Sequence, residues 1–184
     1  MYFPREDSFF LSNYLKKYLK TKKINKNIKI LDMGSGSGIQ AESCKKLGFS
    51  NIFCSDIDEK TVKYLKTKKF KTIKSDLFSS SKFKNKKFDL IIFNPPYLPE
   101  DNKGYDKEKD TTGGKKGYET ILKFLKQAKK HLTKNSNILI LFSSLSNPEK
   151  IKKESKKIGY DFKLVAKKRI FFEQLYIYVF KIRN

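Results

Sequence analysis

The chain has 184 residues, 38% of them hydrophobic and 14% aromatic, which is typical of one globular domain spanning residues 1–184. Its apolar runs are too short for a transmembrane helix, and its first residues lack a signal-peptide pattern. Its two cysteines and single histidine exclude a disulfide framework and a four-ligand zinc site. We therefore expect a cytoplasmic protein that uses no metal. The net charge of +23 comes from 39 Lys and only 3 Arg, and because nucleic-acid contacts favour Arg, it favours a solvated lysine surface over a nucleic-acid partner.

Strands and helices are predicted to alternate along the chain. The predicted helices cover 6–20, 39–47, 58–66, 118–132 and 148–158, and the predicted strands cover 28–31, 51–55, 70–74, 88–93, 138–142, 162–165 and 175–180. Residues 1–27 form an N-terminal helix and linker, with Asp7 or Ser8 as the expected N-cap, and residues 98–116 form a mobile loop. The order predicts an α/β fold with a seven-stranded, mostly parallel sheet, helices on both faces and an antiparallel last strand.

A glycine-rich segment, residues 32–38, follows the first predicted strand and precedes a helix. Open parallel sheets bind ligands at this position. Gly34, Gly36 and Gly38 depart from the G-x-G-x-x-G spacing of dinucleotide-binding loops because the third glycine comes one residue early. The Asp32 carboxylate would repel a pyrophosphate but suits a cationic group, such as the amino end of S-adenosylmethionine. A plain turn is the alternative.

Acidic residues follow the next two predicted strands. Asp56 can accept hydrogen bonds from both hydroxyls of a ribose, whereas we expect Asp58 to cap the next helix. Asp76 can accept from the exocyclic amine of an adenine, with Leu77 and Phe78 packed against the ring. Each of these residues taken alone has a structural alternative, as a helix cap or a loop residue.

The segment Asn94-Pro95-Pro96-Tyr97 directly follows a buried strand. Its two prolines hold the chain extended and donate no backbone hydrogen bonds. The Asn94 side-chain oxygen and the Pro95 carbonyl are then two acceptors that can hold both hydrogens of a planar –NH₂ group, and Tyr97 offers a flat face. This pattern suits an amide or an exocyclic base amine, with a bland proline turn as the alternative.

Together these segments resemble the class I S-adenosylmethionine-dependent methyltransferases that act on planar nitrogens. Residues 2–11 are similar to the Pro-x-Glu-Asp-(Ser/Thr)-Phe-Leu-Leu start of the short archaeal and eukaryotic HemK-like release-factor glutamine methyltransferases, and residues 113–119 to their Gly-Gly-x-x-Gly-x-Glu segment. Residues 173–175, at the start of the last strand, also match. Two departures are Asp32, where Glu is common, and residues 99–112, which lack the expected apolar pattern.

The resemblance implies a Rossmann-like class I methyltransferase fold, S-adenosylmethionine as cofactor, and methylation of the glutamine amide in the Gly-Gly-Gln motif of a class I peptide chain release factor. It assigns catalysis to Asn94, Pro95 and Tyr97, and substrate contacts to these three and Pro96. The cofactor-binding residues that it implies are Glu6, Asp7, Ser8, Asp32, Gly34, Gly36, Gly38, Asp56, Asp76, Leu77 and Asn94.

The short members of this family imply a partner as well, a small zinc-binding activator subunit that forms a heterodimer by pairing along edge strand 70–74. Phe70 and Ile73 give that edge apolar side chains. The flanking lysines argue against such pairing, because charged side chains on an edge strand resist pairing with another chain.

Two other functions stay open. A nucleic-acid adenine-N6 or guanine-N2 methyltransferase would use the same acceptors on a flipped base, although the chain has no room for a target-recognition domain. A non-catalytic RNA-binding module would need neither Asn94 nor the glycine loop. The high positive charge favours the first of these functions, and the presence of Asn94 and the glycine loop argues against the second.

Overall fold

The computed structural model describes residues 2–21, 24–100 and 111–183. Its strands are β1 (Ile30–Met33), β2 (Ile52–Asp56), β3 (Lys71–Lys74), β4 (Phe88–Phe93), β5 (Leu132–Ser143), β6 (Tyr160–Ile170) and β7 (Glu173–Ile182). Its helices are α1 (Glu6–Thr21), α2 (Ile39–Lys46), α3 (Glu59–Thr67), α4 (Glu119–Ala128) and α5 (Pro148–Ile158). None of the helices in these ranges is long and apolar enough to cross a membrane.

The seven strands form one sheet in the order β3-β2-β1-β4-β5-β7-β6. All pairs are parallel except those of β7, which runs antiparallel to both β5 and β6. The predicted fold class is therefore confirmed. The strand order reverses between β1 and β4, and the crevice at the carboxyl ends of these two strands is where open α/β sheets bind ligands.

Helices cover both faces of the sheet. Alternate residues of β4 show the two layers: Leu90 and Ile92 pack in the core under α1, α2 and α3, whereas Ile91 and Phe93 pack in the core under α4 and α5. This strict alternation arises because successive side chains of a strand point to opposite faces. It places the end of β4, and the residues after it, between two packed layers.

Several boundaries differ from the predicted ones. β1 begins at Ile30 rather than residue 28, because Ile30 is the first residue that pairs with both neighbouring strands. The helix predicted to reach Leu132 ends at Ala128, since Leu132 is already paired with Phe88 in the sheet. The last two strands are longer than predicted because their pairing continues from Tyr160 opposite Ile182 to the turn.

The described ends of the segment predicted as a mobile loop are held in place. Leu98 and Thr112 form a β-bridge, and the Leu98 carbonyl accepts a hydrogen bond from the Gly113 N–H at 2.9 Å. Residues 98–100 and 111–116 of the predicted mobile loop are thus anchored by backbone hydrogen bonds, while residues 101–110 lie outside the described part of the chain. Backbone pairing supplies here the order that the apolar-poor composition does not predict.

Candidate active site

A cavity of about 460 Å³ lies at the carboxyl ends of β1 and β4. This volume falls within the roughly 300–1,000 Å³ that is usual for small-molecule sites. The N-terminal segment, the glycine loop, the ends of β2, β3 and β4, and the start of β7 all contribute to its wall. The predicted site residues that line it are Glu6, Asp7, Ser8, Asp32, Gly34, Gly36, Asp56, Asp76, Leu77, Asn94, Pro95, Pro96 and Tyr97.

The glycine loop is closed over by the N-terminal segment. A Cβ on Gly36 would lie 3.2 Å from the Tyr2 carbonyl oxygen, and the Gly36 N–H donates to Asp56 Oδ2 at 2.9 Å. Gly38, the third predicted cofactor-binding glycine, does not line the cavity. It precedes α2 with a φ of 80°, and a Cβ there would lie 2.6 Å from a methyl carbon of Leu65. Gly38 thus serves helix packing at this position.

Asp32 is a buried carboxylate, only 1% exposed, at the end of β1. Its Oδ2 accepts a hydrogen bond from the Ala41 N–H at 3.1 Å. Burial raises the pKa of Asp32 well above its ordinary value, and the nearby charge of Asp56 raises it further, while the bond from Ala41 opposes both. A cation in the cavity would stabilise the ionised form of this carboxyl group.

The other acidic residues already have partners within the protein. Asp56 accepts from Gly36 and, through Oδ1, from the Asp58 N–H at 3.0 Å. Asp58 is the N-cap of α3, as predicted, and accepts from the N–H of Thr61. Asp76 forms a half-exposed ion pair with Lys123 at 2.6 Å. A carboxylate has about four acceptor positions, so the single ion pair of Asp76 leaves it positions for a ligand.

Phe78 does not pack at the cavity wall as predicted. Its ring stacks on His131, with the ring centroids 4.4 Å apart and the planes 4° from parallel, and it also contacts Phe83 and Phe124. The backbone turns sharply at Leu77, which has a φ of 49°. This turn leaves Leu77 in the cavity wall and directs Phe78 into the core.

Asp7 connects the N-terminal helix to the end of β4. Its Oδ2 accepts from Asn94 Nδ2 at 2.8 Å, and its Oδ1 accepts from the Tyr2 hydroxyl at 3.1 Å and the Ser8 hydroxyl at 3.3 Å. The expectation that Asp7 or Ser8 caps the helix is wrong, because the helix already begins at Glu6. The Asp7 side chain is used across the cavity instead.

This contact determines which way the Asn94 carboxamide points. A carboxylate only accepts hydrogen bonds, so the –NH₂ end of Asn94 must face Asp7 and the oxygen must point away from it. Asn94 Oδ1 is buried and has no hydrogen-bond partner among the residues that the structure describes. A buried acceptor without a donor costs free energy unless a ligand supplies one.

Two glycines allow the chain to pack tightly behind residues 94–97. A Cβ on Gly113 would lie 2.6 Å from the Pro96 carbonyl oxygen, and a Cβ on Gly117 would lie 2.4 Å from that of Tyr97. The Tyr97 carbonyl also accepts from the Ser146 hydroxyl at 2.8 Å. Residues 113–119, the second glycine-containing segment that the sequence singled out, thus support the Asn-Pro-Pro-Tyr segment.

Tyr97 is half-buried and lines the cavity. Burial raises the pKa of its hydroxyl, and the charges of Asp7 and Glu173 raise it further. The hydroxyl therefore stays protonated at neutral pH. The ring can supply a packing surface without introducing a negative charge.

Several cavity residues were not singled out as site residues from the sequence, among them Tyr2, Gln40 and Glu173. Tyr2 covers the glycine loop, Gln40 donates from Nε2 to the Ser8 carbonyl at 3.0 Å, and Glu173 reaches the cavity from the start of β7. Gln40 lies in the first turn after the glycine loop, a position that could have drawn attention to it. Neither periodicity nor spacing indicates Tyr2 or Glu173.

The chain is similar to several known proteins. Residues 10–171 match the family model of the methyltransferase small domain. A relative from Methanocaldococcus jannaschii, provisionally named a protein N5-glutamine methyltransferase, is 32% identical over 96% of this chain and 89% of its own length. A release factor glutamine methyltransferase of Clostridium botulinum is 33% identical over 65% of this chain, which spans 48% of that longer protein.

A solved structure shows the same fold. The E. cuniculi Mtq2-Trm112 complex, which is responsible for the methylation of the eRF1 translation termination factor, contains a chain with a TM-score of 0.77 and 20% identity to this one. The match covers 100% of this chain and 98% of that chain. At this identity the similarity concerns the fold.

Replacing Gly117 with Ala is expected to destabilise the support of residues 94–97. The new Cβ would collide with the Tyr97 carbonyl, so we expect the free energy of unfolding to fall by more than about 2 kcal/mol in urea denaturation. Gly48→Ala is the matched control, since Gly48 has a similar φ of 86° but no atom within 4 Å of its Cβ position. The strain alone should cost about 1–2 kcal/mol there, and equal losses in the two variants would contradict the packing role.

Replacing Asp32 with Asn is expected to stabilise the ligand-free protein at neutral pH. Because the pKa of Asp32 is raised in the folded state, the wild-type free energy of unfolding should fall as the pH rises from the ordinary aspartate pKa through the raised one. The Asn variant should lose this decline. Urea denaturation of both proteins across that pH range measures the difference, and parallel pH profiles would show that Asp32 is ionised without cost.

Proposed function

The chain belongs to the methyltransferase small domain family, and from this premise we propose that it methylates the side-chain amide of the glutamine in the Gly-Gly-Gln motif of a class I peptide chain release factor. The names of two relatives, in M. jannaschii and C. botulinum, support a glutamine as the acceptor. The solved complex from E. cuniculi, which acts on a translation termination factor, supports the same substrate class.

The proposed methyl donor is S-adenosylmethionine, and the cavity has residues that suit it. When bound, this cofactor supplies an activated methyl group. Asp32 would hold its ammonium group, Asp56 its ribose hydroxyls, and Asp76 its adenine amine, with Leu77 against the ring. Gly34 and Gly36, with φ values of 60° and 49°, allow the tight turn that carries the chain around this end of the cavity.

The observation that carries the proposal is the orientation of Asn94. An amide nitrogen is a poor nucleophile because its lone pair is delocalised into the carbonyl. Asn94 Oδ1, directed away from Asp7 and without a partner among the described residues, is the acceptor that one N–H of a glutamine amide requires. The Pro95 carbonyl is the proposed acceptor for the other N–H. Two such contacts fix the plane of the amide and so the direction of its lone pair.

The energetic contribution of these acceptors comes from positioning and charge. Holding a reactant in the productive geometry can lower a barrier by up to roughly 7–11 kcal/mol. The nitrogen becomes positive as it is methylated, and the two oxygens stabilise that charge. Tyr97, neutral for the reasons given above, bounds the amide plane. The nitrogen then releases its proton to water.

We further propose that a small zinc-binding activator subunit docks on the edge strand β3, as the short members of the family imply. β3 is the outer strand of the sheet, so one side of its backbone pairs with no other described strand. Ile73 is 3% exposed and packs in the core, and Lys45 lies over the ring of Phe70, so the expected apolar edge is wrong. Pairing would therefore use backbone hydrogen bonds.

The Asn94→Ala variant is expected to lose methyl transfer by at least about 100-fold, because it removes the acceptor that orients the nitrogen. Transfer of tritium from labelled S-adenosylmethionine should be measured with release factor, tRNA, rRNA and DNA in parallel. Calorimetry should find cofactor binding retained.

Asp7→Asn, which allows the Asn94 carboxamide to flip, should lower kcat while keeping the fold. Unchanged turnover in Asn94→Ala would refute the assigned role, and labelling of nucleic acid alone would refute the substrate.

Co-expression with the activator subunit is expected to raise the soluble yield and the activity of the chain, because pairing would cover the open edge of β3. Thr72→Pro, in the middle of that strand, should prevent this increase in yield and activity. Proline has no backbone N–H to donate and is poorly tolerated at a paired strand position. Size-exclusion chromatography measures the complex. A complex that forms equally well with the proline variant would place the subunit elsewhere.

A further inference from the structure

The turn between β6 and β7 exposes two adjacent aromatic side chains. Phe171 is 90% exposed and Phe172 is 98% exposed. Scattered exposed apolar residues are common in proteins, but a contiguous apolar patch marks an interaction surface. The surrounding surface carries many lysines, so this pair stands out in its chemistry as well as in its exposure.

The backbone at this turn makes the choice of residues more informative. Phe171 has a φ of 28°, in a region that hairpin turns normally fill with Gly, Asn or Asp. At this φ a phenylalanine makes the folded state less stable than Gly, Asn or Asp would. Strained conformations of bulky residues concentrate at functional sites, where the side chain has a use that outweighs the strain.

The next residue connects this turn to the active-site cavity. Glu173 lines the cavity, and it also lines a shallow depression together with Ser144, Arg169, Phe171, Phe172 and Gln174. Glu173 Oε2 is buried and has no hydrogen-bond partner among the described residues. Such an oxygen requires a donor from outside the chain if its desolvation is to be compensated. A continuous path therefore leads from the cavity over a vacant acceptor to the two phenylalanines.

The turn is also held at a fixed position relative to residues 94–97. The Gln174 N–H donates to the Ser144 hydroxyl at 3.0 Å, and the Ser146 hydroxyl donates to the Tyr97 carbonyl at 2.8 Å. Ser144 and Ser146 belong to one short 3-10 turn, which Ser143 caps. Two hydrogen bonds and one rigid turn thus separate the exposed aromatics from the Asn-Pro-Pro-Tyr segment.

We propose that residues 169–174, here called the hairpin tip, dock the stretch of polypeptide that flanks the acceptor glutamine of the protein substrate. Glu173 accepts a main-chain N–H of that stretch, and Phe171 and Phe172 cover one of its apolar side chains. Arg169 in the same depression can donate to a main-chain carbonyl. The inference rests on the proposed function, since it needs a protein as the substrate.

The chemistry of the hairpin tip favours polypeptide over nucleic acid. A vacant carboxylate oxygen at the rim repels phosphate groups but suits a backbone amide donor. A peptide next to a Gly-Gly-Gln sequence presents such donors close to the target side chain. Aromatic side chains are the usual anchors of protein interfaces because they bury much apolar area with few rotatable bonds.

Photo-crosslinking tests the contact directly. A benzoylphenylalanine at position 172 of the full chain, with its activator subunit present, should crosslink to the release-factor peptide that contains the acceptor glutamine. The same probe at Leu164, which is 41% exposed on the same hairpin away from the tip, is the control and should not label it. Equal labelling from both positions, or labelling only of RNA, of the activator subunit or of a second copy of the chain, would overturn the proposal.

Kinetics separate this inference from the proposed function. The double variant Phe171→Ser/Phe172→Ser should raise the KM for release factor by about tenfold, with kcat and the Kd of S-adenosylmethionine unchanged. Glu173→Ala should also raise the KM for release factor, and Leu164→Ser should leave KM, kcat and Kd unchanged. An unaltered KM in the double variant would refute docking while release-factor methylation stands. A wild-type chain that methylates RNA but no release factor would refute both.

Discussion

The hydrogen bond from Asn94 to Asp7 is the contact on which the proposed chemistry depends. It joins the first helix to the end of a central strand, 87 residues further along the chain. Its consequence is directional, because a carboxylate can bind only one end of a carboxamide. The Asn94 oxygen is thereby left as a buried acceptor. The Tyr2 and Ser8 hydroxyls donate to the other oxygen of the same carboxyl group and so help to fix the position of Asp7.

Much of the fold and of the site could be predicted from the sequence because local signals agreed with the tertiary arrangement. Strand and helix alternate with short connections, and the acidic residues and the Asn-Pro-Pro-Tyr segment each follow a strand, so parallel topology brings them to one edge. Asp58 caps α3 as predicted, since its side chain acts within three residues. Short-range geometry of this kind is readable from spacing alone.

The remaining features depend on contacts between distant segments, which spacing does not reveal. Asp7 looks like a helix cap, but its partner lies in another element. Phe78 looks like a wall of the ligand site, but the left-handed backbone at Leu77 redirects it. Ile73 looks exposed on an edge strand, but that strand is still covered on its core face. In each of these cases the sequence indicates the chemical character of the side chain but not the direction in which the side chain points.

The ion pair between Glu6 and Lys168 has a consequence for how the protein acquires its working form. It links residues 162 positions apart and sits beside the cavity. Contacts of such sequence separation form late, because a long loop must be closed before they contribute. The cavity is therefore complete only once β7 has paired with the rest of the sheet, because Ile170 and Glu173 belong to the cavity wall.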